Sequence, residues 1–524
     1  MTGRQALARA GLVVTVAYLA SRLLGWLRLV VFGTLFGASP DLDAYFAAFR
    51  IPDAIFQLVA AGALGSALIP VLAGLFARDE DAEAWKTVST VVNLMLVAVV
   101  PISIVMALAA PLIVPLITPG FDSVQTELTV RLSRIMLLAP ILLALGAVAT
   151  SALNARNRFA AAAFSPLLYN AAIIVAAIAL ADSLGVEALA LGVVAGALLA
   201  LIVQVPSLLR AGLRYDLHLD LHHGPTRTVL LLMAPRALGL GATQITFIVN
   251  TTLASGLAAG AITAYNIAFA IFQIPIGVIG VPLGVVLLPS MARALATGAV
   301  RTFGMYVVRS LRLLLFVMLF LTAVAMVLRR QIVTLLFDYG QFDAQAVDLT
   351  ANTLLFFLVG LAAEALIVVL ARAFYAGQET RIPVAAALLA VAVNVVVSIA
   401  TVGSLGLSGL ALGIAVGAWV EAIVLTVILA RRTAGMSLAS LGRAATLFLL
   451  GSALAAAAAV GAVRLTELVM SADPGKVAIL AQAVAGSLAA LAVYVAWALI
   501  FRVPELTETA TILAGVVRRR RASA

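Results

Sequence analysis

Arg22 and Arg28 sit inside an apolar run, Leu12 to Phe36, that is long enough to cross a membrane. A guanidinium stays charged at any cellular pH, and at mid-bilayer it costs about 2.5–3.5 kcal/mol on insertion scales. The next apolar stretch adds Asp43, Arg50 and Asp53, and a later one adds Arg236 just after Pro235. Four arginines thus stand against two aspartates, so the excess positive charge needs water or an anion. The arginine fork suits a phosphate in bidentate fashion. These residues predict a wet, cationic cavity for an anionic, phosphorylated substrate. The competing reading gives each arginine its own acid or a helix-end carbonyl.

Spacing narrows the roles. Asp43 and Arg50 are seven residues apart, which puts them on one helix face roughly 10 Å apart along the axis, too far for an ion pair. Arg50 and Asp53 are three apart and can touch, so Asp53 reads as Arg50's partner. Asp43 reads as a gate residue or an arginine partner. Arg28 and Arg50 fall at similar depth, while Arg22 lies about 9 Å deeper and about 120° around the helix from Arg28. Glu364 and Glu421 are lone acids in apolar runs, each either a proton-coupled carboxylate or a hydrogen-bonded packing group. Asn170, Asn250 and Asn394 read as interhelical hydrogen-bonding residues ahead of ion ligands. His218 and His222, in "RYDLHLDLHHGP", have a spacing that permits a metal, but the alternation of apolar and polar residues there favours a strand or interfacial segment. We expect no metal and no cofactor. No phosphate-binding loop and no nucleophile paired with a base appears, which speaks against an enzyme and against ATP-driven transport within this chain.

The elements that carry these charges follow from composition. Of 524 residues 64% are hydrophobic and 11% charged, too little polar surface for a water-soluble fold. The chain has no cysteine, so disulfides and thiolate metal sites are excluded. The net charge of +10 is spread over short loops, which suits an anionic membrane face and argues against nucleic acid. Apolar segments of spanning length fall at 11–37, 42–76, 87–117, 125–152, 160–182, 187–210, 228–253, 261–297, 305–328, 346–375, 382–402, 408–430, 443–464 and 477–501. We read them as fourteen helices, the first of them retained rather than cleaved, with kinks at Pro52, Pro70, Pro275, Pro282 and Pro289. Loops after odd spans, such as "TPGFDSVQTE" and "ADSLGVE", carry acids; loops after even spans carry Arg78, Lys86, Arg156, Arg158, Arg210, Arg214, Arg227 and Arg293. The terminal run Arg518 to Arg521 falls on the basic side, which puts both ends in the cytoplasm. Arg329 and Arg330 break this pattern.

The chain also repeats itself. "AYFAAFRIPDAIFQLVAAGALGSALIPVLAGLFA" from Ala44 aligns with "AYNIAFAIFQIPIGVIGVPLGVVLLPSMARALA" from Ala264, 220 residues later. "LNARNRFAAAAFSPLLYN" likewise aligns with "FYAGQETRIPVAAALLAVAVN". Six spans separate the partners, so the halves share one orientation. The expected organisation is an N-terminal six-helix lobe at 1–215, a second at 216–437, two extra helices at 438–503 and a basic tail at 504–524.

These blocks, with "SRLLGWLRLVVFGTLFG", "GVPLGVVLLPSMARALA" and "FYAGQETRIPV", resemble the MurJ/MviN lipid II flippases. The resemblance implies an all-α polytopic fold of the multidrug/oligosaccharidyl-lipid/polysaccharide exporter superfamily, with two parallel six-helix lobes in a V. It implies two C-terminal helices forming a lipid-facing groove. It implies a cell-wall role: moving the undecaprenyl-diphosphate-linked peptidoglycan precursor lipid II from the inner to the outer leaflet of a bacterial cytoplasmic membrane. Lipid II, membrane lipids and cell-wall synthesis proteins are the implied partners. Export of another polyprenyl-phosphate glycan is the alternative, and a drug antiporter of the superfamily comes third. Arg22, Arg28 and Asp43 match the family's polar residues of the first two helices, and Arg50 falls where members carry a basic residue. The chain departs from the pattern at Ala270, where members often have arginine, and at Ala61, where an acid is common. Arg236 is the candidate for the missing charge. Sodium-binding acids of some members are absent; only Asn394 and Ser398 stand near that position, which speaks against a sodium-coupled cycle of that design, and Glu364, Asn394 and Glu421 remain the candidates for ion coupling. The orientation is open to a direct test in this cysteine-free chain. Ala82→Cys should react with a membrane-impermeant thiol reagent only after cells are opened, and Ser183→Cys in intact cells; the reverse pattern would invert the topology.

Overall fold

The computed structural model describes residues 3–58, 63–220, 222–470 and 475–509, and these are helices joined by turns and short extended segments. The first half runs α1 (Gly3–Phe36), α2 (Pro40–Phe56), α3 (Ala63–Ala77), α4 (Asp81–Ile117), α5 (Ser123–Met136), α6 (Ala139–Ala155), α7 (Phe159–Leu184), α8 (Glu187–Ile202) and α9 (Val205–Arg210). The second runs α10 (Gly224–Ser255), α11 (Ala261–Pro275), α12 (Val281–Ala296), α13 (Val300–Val327), α14 (Arg329–Phe337), α15 (Ala344–Val359), α16 (Leu361–Ala376), α17 (Arg381–Leu405), α18 (Leu407–Arg432), α19 (Leu438–Val469) and α20 (Lys476–Ile500). Among the described residues 11 stretches are long and apolar enough to cross a membrane, and the α15–α16 pair, bent by 46°, makes a twelfth. The other two expected spans, 42–76 and 228–253, include residues 59–62 and the side chains of 234–240, which lie outside the described set. So do Ala61, the Arg236 side chain and Arg518 to Arg521.

Helix starts follow local chemistry. The Ser39 hydroxyl accepts from the Leu42 amide at 3.3 Å, ahead of a proline in the first turn of α2. Asp122 does the same for α5, accepting from Gln125 at 2.7 Å. Pro275 is followed by a π-helical turn at Ile276–Gly280, and Gln57 and Leu58 are π-helical at the equivalent point of the repeat. Proline removes a backbone donor, and the looser turn absorbs the break.

The chain packs as two compact units, Met1–Thr263 with Tyr339–Asp343, and Ala264–Asp338 with Ala344–Ala524. In the first, α1 packs on α7, α2 on α5 and α6, and α7 on α8; in the second, α13 packs on α16 and α19, α17 on α18, and α19 on α20. The α10 helix, sequence counterpart of α1, packs in the first unit against α2, α3 and α4.

The repeat persists at atomic detail within each unit. The turn into α8 is made by Gly185 at φ 55°, and the turn into α18 by Gly406 at φ 56°, a region that suits glycine. Beyond them, Gly196 packs so tightly on α7 that a Cβ would lie 2.7 Å from the Tyr169 carbonyl oxygen. Gly417 meets the Ala390 carbonyl of α17 in the same way, again at 2.7 Å. Small residues let helix backbones approach closely where lipid supplies no hydrophobic drive.

Residues 213–220, which hold the first part of the histidine-rich stretch with His218, form neither helix nor strand but an extended strap along α4. Asn93 donates to the Asp216 and His218 carbonyls at 2.9 Å each, and Lys86 pairs with Asp220 at 3.2 Å. The glycine seams yield a test. Gly196→Val and Gly417→Val should each cost about 1–3 kcal/mol through overpacking. Gly461→Val, where nothing lies within 4 Å, should change little. Melting of the purified protein in detergent checks this, and equal effects at all three sites would contradict the seams.

Candidate functional site

One face of α2 carries three of the predicted residues, and the structure shows what that face meets. Asp43, 2% exposed, is neither free nor paired with an arginine. Its carboxylate accepts from the Gly260 amide at 2.8 Å, the Thr263 amide at 2.7 Å and the Thr263 hydroxyl at 2.7 Å. These donors open α11, so Asp43 satisfies amides that a helix start leaves unpaired. About two turns along, Arg50 is buried, donates through Nε to Thr251 at 2.9 Å and lies over the Phe247 ring at 5.1 Å. Asp53 receives the side-chain amides of Gln57 at 3.4 Å and Gln244 at 3.5 Å, and interacts electrostatically with Arg50. Asp43, Arg50 and Asp53 therefore stitch α2 to α10 and the turn that follows it.

Arg28 faces elsewhere. It half-buries against α7, interacts electrostatically with Tyr169 and approaches the Phe32 ring at 5.9 Å. Its buried Nε–H has no hydrogen-bond partner. The same side chain lines a chamber of about 380 Å³ with Asp53, Tyr169 and Ser165, between α1, α2, α6, α7 and α8. Arg22 does not share that chamber: it is exposed and folds back on its own helix, with Nη2 donating to the Tyr18 hydroxyl at 2.7 Å.

The second unit holds two acids within its helices. Glu364, in the first turn of α16 beyond the bend, and Glu421 on α18 interact electrostatically. Neither side chain has a hydrogen bond or ion pair among the described residues. Asn394 donates to Ser398 at 3.4 Å and Asn170 to the Pro166 carbonyl at 3.0 Å, so these bonds stay within single helices rather than crossing between helices. Arg372 on α16 escaped the sequence reading. It donates to the Val368 carbonyl at 3.0 Å and occupies the space that a Cβ on Gly284 would need. Arg329 and Arg330, anomalous by charge distribution, are accounted for locally. The first donates to the Met326 carbonyl at the end of α13 at 2.8 Å, and the second pairs with Asp348 at 2.9 Å.

With this geometry in hand, the chain was compared with known proteins. The family model described as "Lipid II flippase MurJ" matches residues 32–486. The chain belongs to the MurJ lipid II flippase family. A probable MurJ of Rhizobium tropici is 33% identical over 451 residues, covering 83% of each chain. The MurJ of Burkholderia cenocepacia is 31% identical over 434 residues, covering 81% of this chain and 84% of its own. A solved MurJ in an inward closed conformation superposes with TM-score 0.78 at 22% identity, over 94% of this chain and 98% of that one. An inward-facing multidrug MATE transporter follows at TM-score 0.66, 18% identity and 81% of this chain, which shows a shared fold.

Within this MurJ-family chain, Tyr169 and Gln204 are the site residues that the sequence reading passed over. Gln204 is a lone amide in an apolar run, a signal that was available. Tyr169 gave none, because a tyrosine near an asparagine in an apolar helix is unremarkable. The Asp43 contacts predict a graded series. Asp43→Asn keeps one acceptor and loses the Gly260 bond, so it should destabilise by about 1–3 kcal/mol, and Asp43→Ala by more. Thermal melting of the purified variants decides; unchanged melting for Asp43→Ala would refute the capping role.

Proposed function

We propose that this chain flips lipid II from the inner to the outer leaflet of the cytoplasmic membrane by alternating access, with both termini cytoplasmic. Residues 1–215 and 216–437 serve as the two lobes, and the helices of 438–503 accompany the second. Family membership supports the substrate. The observation that carries the binding site is Arg28: a half-buried cation with an unpartnered N–H, beside a chamber of about 380 Å³. A buried donor left unpaired costs about 1–3 kcal/mol, and a diphosphate oxygen supplies the missing acceptor together with opposite charge. Tyr169 orients the guanidinium from the side. Asp53, on the same chamber wall, gives the empty site a counter-charge that an arriving anion displaces.

Arg50 adds positive potential from the α2–α10 seam, and Arg22, outside the chamber on the exposed side of α1, adds to the positive field that draws the diphosphate in. Arg236 is the remaining cation of the set. Closure on the inner side follows charge neutralisation, and an inside-negative potential favours outward movement of an anion by about 2.3 kcal/mol per charge per 100 mV. For the return step we assign proton or cation coupling to Glu364 and Glu421, with Asn394 nearby in sequence order on α17. Two carboxylates without a cationic partner must share a proton or draw in a cation.

The two central arginines separate in experiment. Arg28→Ala should abolish lipid II appearance at the outer face of depleted cells while melting stays close to wild type. Removing one member of a buried charged contact weakens binding by about 2–5 kcal/mol. Arg50→Ala should lower the melting temperature as well, because it breaks the bond to Thr251. Full complementation by Arg28→Ala would reject the diphosphate site.

A further inference from the structure

The chamber beside Arg28 does not end at the cation. A second chamber of about 420 Å³ shares Phe56, Leu143, Ser165 and Ala200 with the first, so the two are contiguous within the first unit. Their chemistry differs. The first holds Arg28 and Asp53; the second has no charged residue on its wall. Its polar lining consists of Thr150, Ser151 and Asn154 from α6 and Ser165 from α7.

A network behind the wall fixes how those groups are presented. Gln204 is fully buried, accepts from the Thr150 hydroxyl at 2.9 Å, and donates to the Ser165 hydroxyl at 3.2 Å and the Ala200 carbonyl at 2.9 Å. Ser151 donates to the Ala147 carbonyl at 2.8 Å. The Thr150 and Ser151 protons are thereby committed to the protein, so their oxygens face the chamber as acceptors. Asn154 has no side-chain hydrogen bond among the described residues, and its amide both donates and accepts. Phe56 supplies an aromatic wall.

Acceptors for hydroxyl donors, one free amide, an aromatic wall and no charge are the recognition set for a neutral polyol carrying an amide. We infer that this second chamber is the subsite for the first sugar of the diphosphate-linked glycan. The inference rests on the assignment of the diphosphate to Arg28, because that sugar is bonded directly to the diphosphate and must occupy the neighbouring space. The volume lies near the lower end of the ~300–1,000 Å³ usual for small-molecule pockets. It accommodates a single ring, and the remaining glycan and peptide lie outside it.

The test uses the full-length protein in lipid nanodiscs and two probes, a bare polyprenyl diphosphate and the same lipid carrying one N-acetylhexosamine. Wild type should bind the sugar-bearing probe about 10-fold more tightly, equivalent to about 1.4 kcal/mol. The double variant Ser151→Ala, Asn154→Ala should lose that advantage and keep its affinity for the bare diphosphate. Gly65→Val should do the same by filling the chamber, since a Cβ there meets only the Ser151 hydroxyl, at 3.9 Å. Equal wild-type affinities for the two probes, or an advantage that survives both variants, overturns the sugar subsite and leaves the diphosphate assignment standing. Failure of wild type to bind the bare diphosphate overturns both. Loss of bare-diphosphate binding in both variants marks the chamber as structural support and also overturns the subsite.

Discussion

A guanidinium cannot be left uncompensated among apolar helices, and this constraint organises the first unit. The chain meets it in two ways. Arg50 is compensated from within, by the Thr251 hydroxyl, the Phe247 ring and the nearby Asp53 charge. Arg28 is compensated only in part, by Tyr169 on one side and a polar chamber on the other. Incomplete satisfaction of a buried donor is costly in an empty protein and becomes favourable contact energy once an anion arrives. The same residue type on adjacent helices thus joins two helices in one case and lines a chamber in the other.

The repeated halves share a scaffold but not a chemistry. The turns at Gly185 and Gly406, the seams at Gly196 and Gly417, and the π-helical turns after Pro52 and Pro275 recur at matching positions. Tight glycine seams bind α7 to α8 and α17 to α18 as rigid pairs, because neither helix can slide without driving a Cα into a carbonyl. The charges do not recur. Arg28 and Arg50 in the first unit have no counterparts in the second, which carries Glu364 and Glu421. The duplicated frame thus carries Arg28, Arg50, Asp43 and Asp53 in its first unit and Glu364, Glu421 and Arg372 in its second, so the repeat conserves packing and not charge.

Much of this was legible in the sequence, since hydropathy and helical period are local properties. The apolar runs and the internal repeat follow from residues read along the chain. So does the shared face of Asp43 and Arg50, which seven-residue spacing dictates. The partners of that face did not follow. Asp43 is held by backbone amides some 217 residues away, and backbone amides carry no residue-specific signal. Arg22 and Arg28, similar in text, part company because a 120° rotation aims one at α7 and leaves the other exposed.

The sequence by itself determined that this is a multi-pass helical protein with ionisable residues inside its apolar runs, because composition and period set what can cross a bilayer. Only the tertiary structure decided which cation is stitched into a seam, which one faces a chamber, and that a neutral chamber lies next to it. Those outcomes depend on how helices distant in sequence rotate against one another, and packing fixes that rotation.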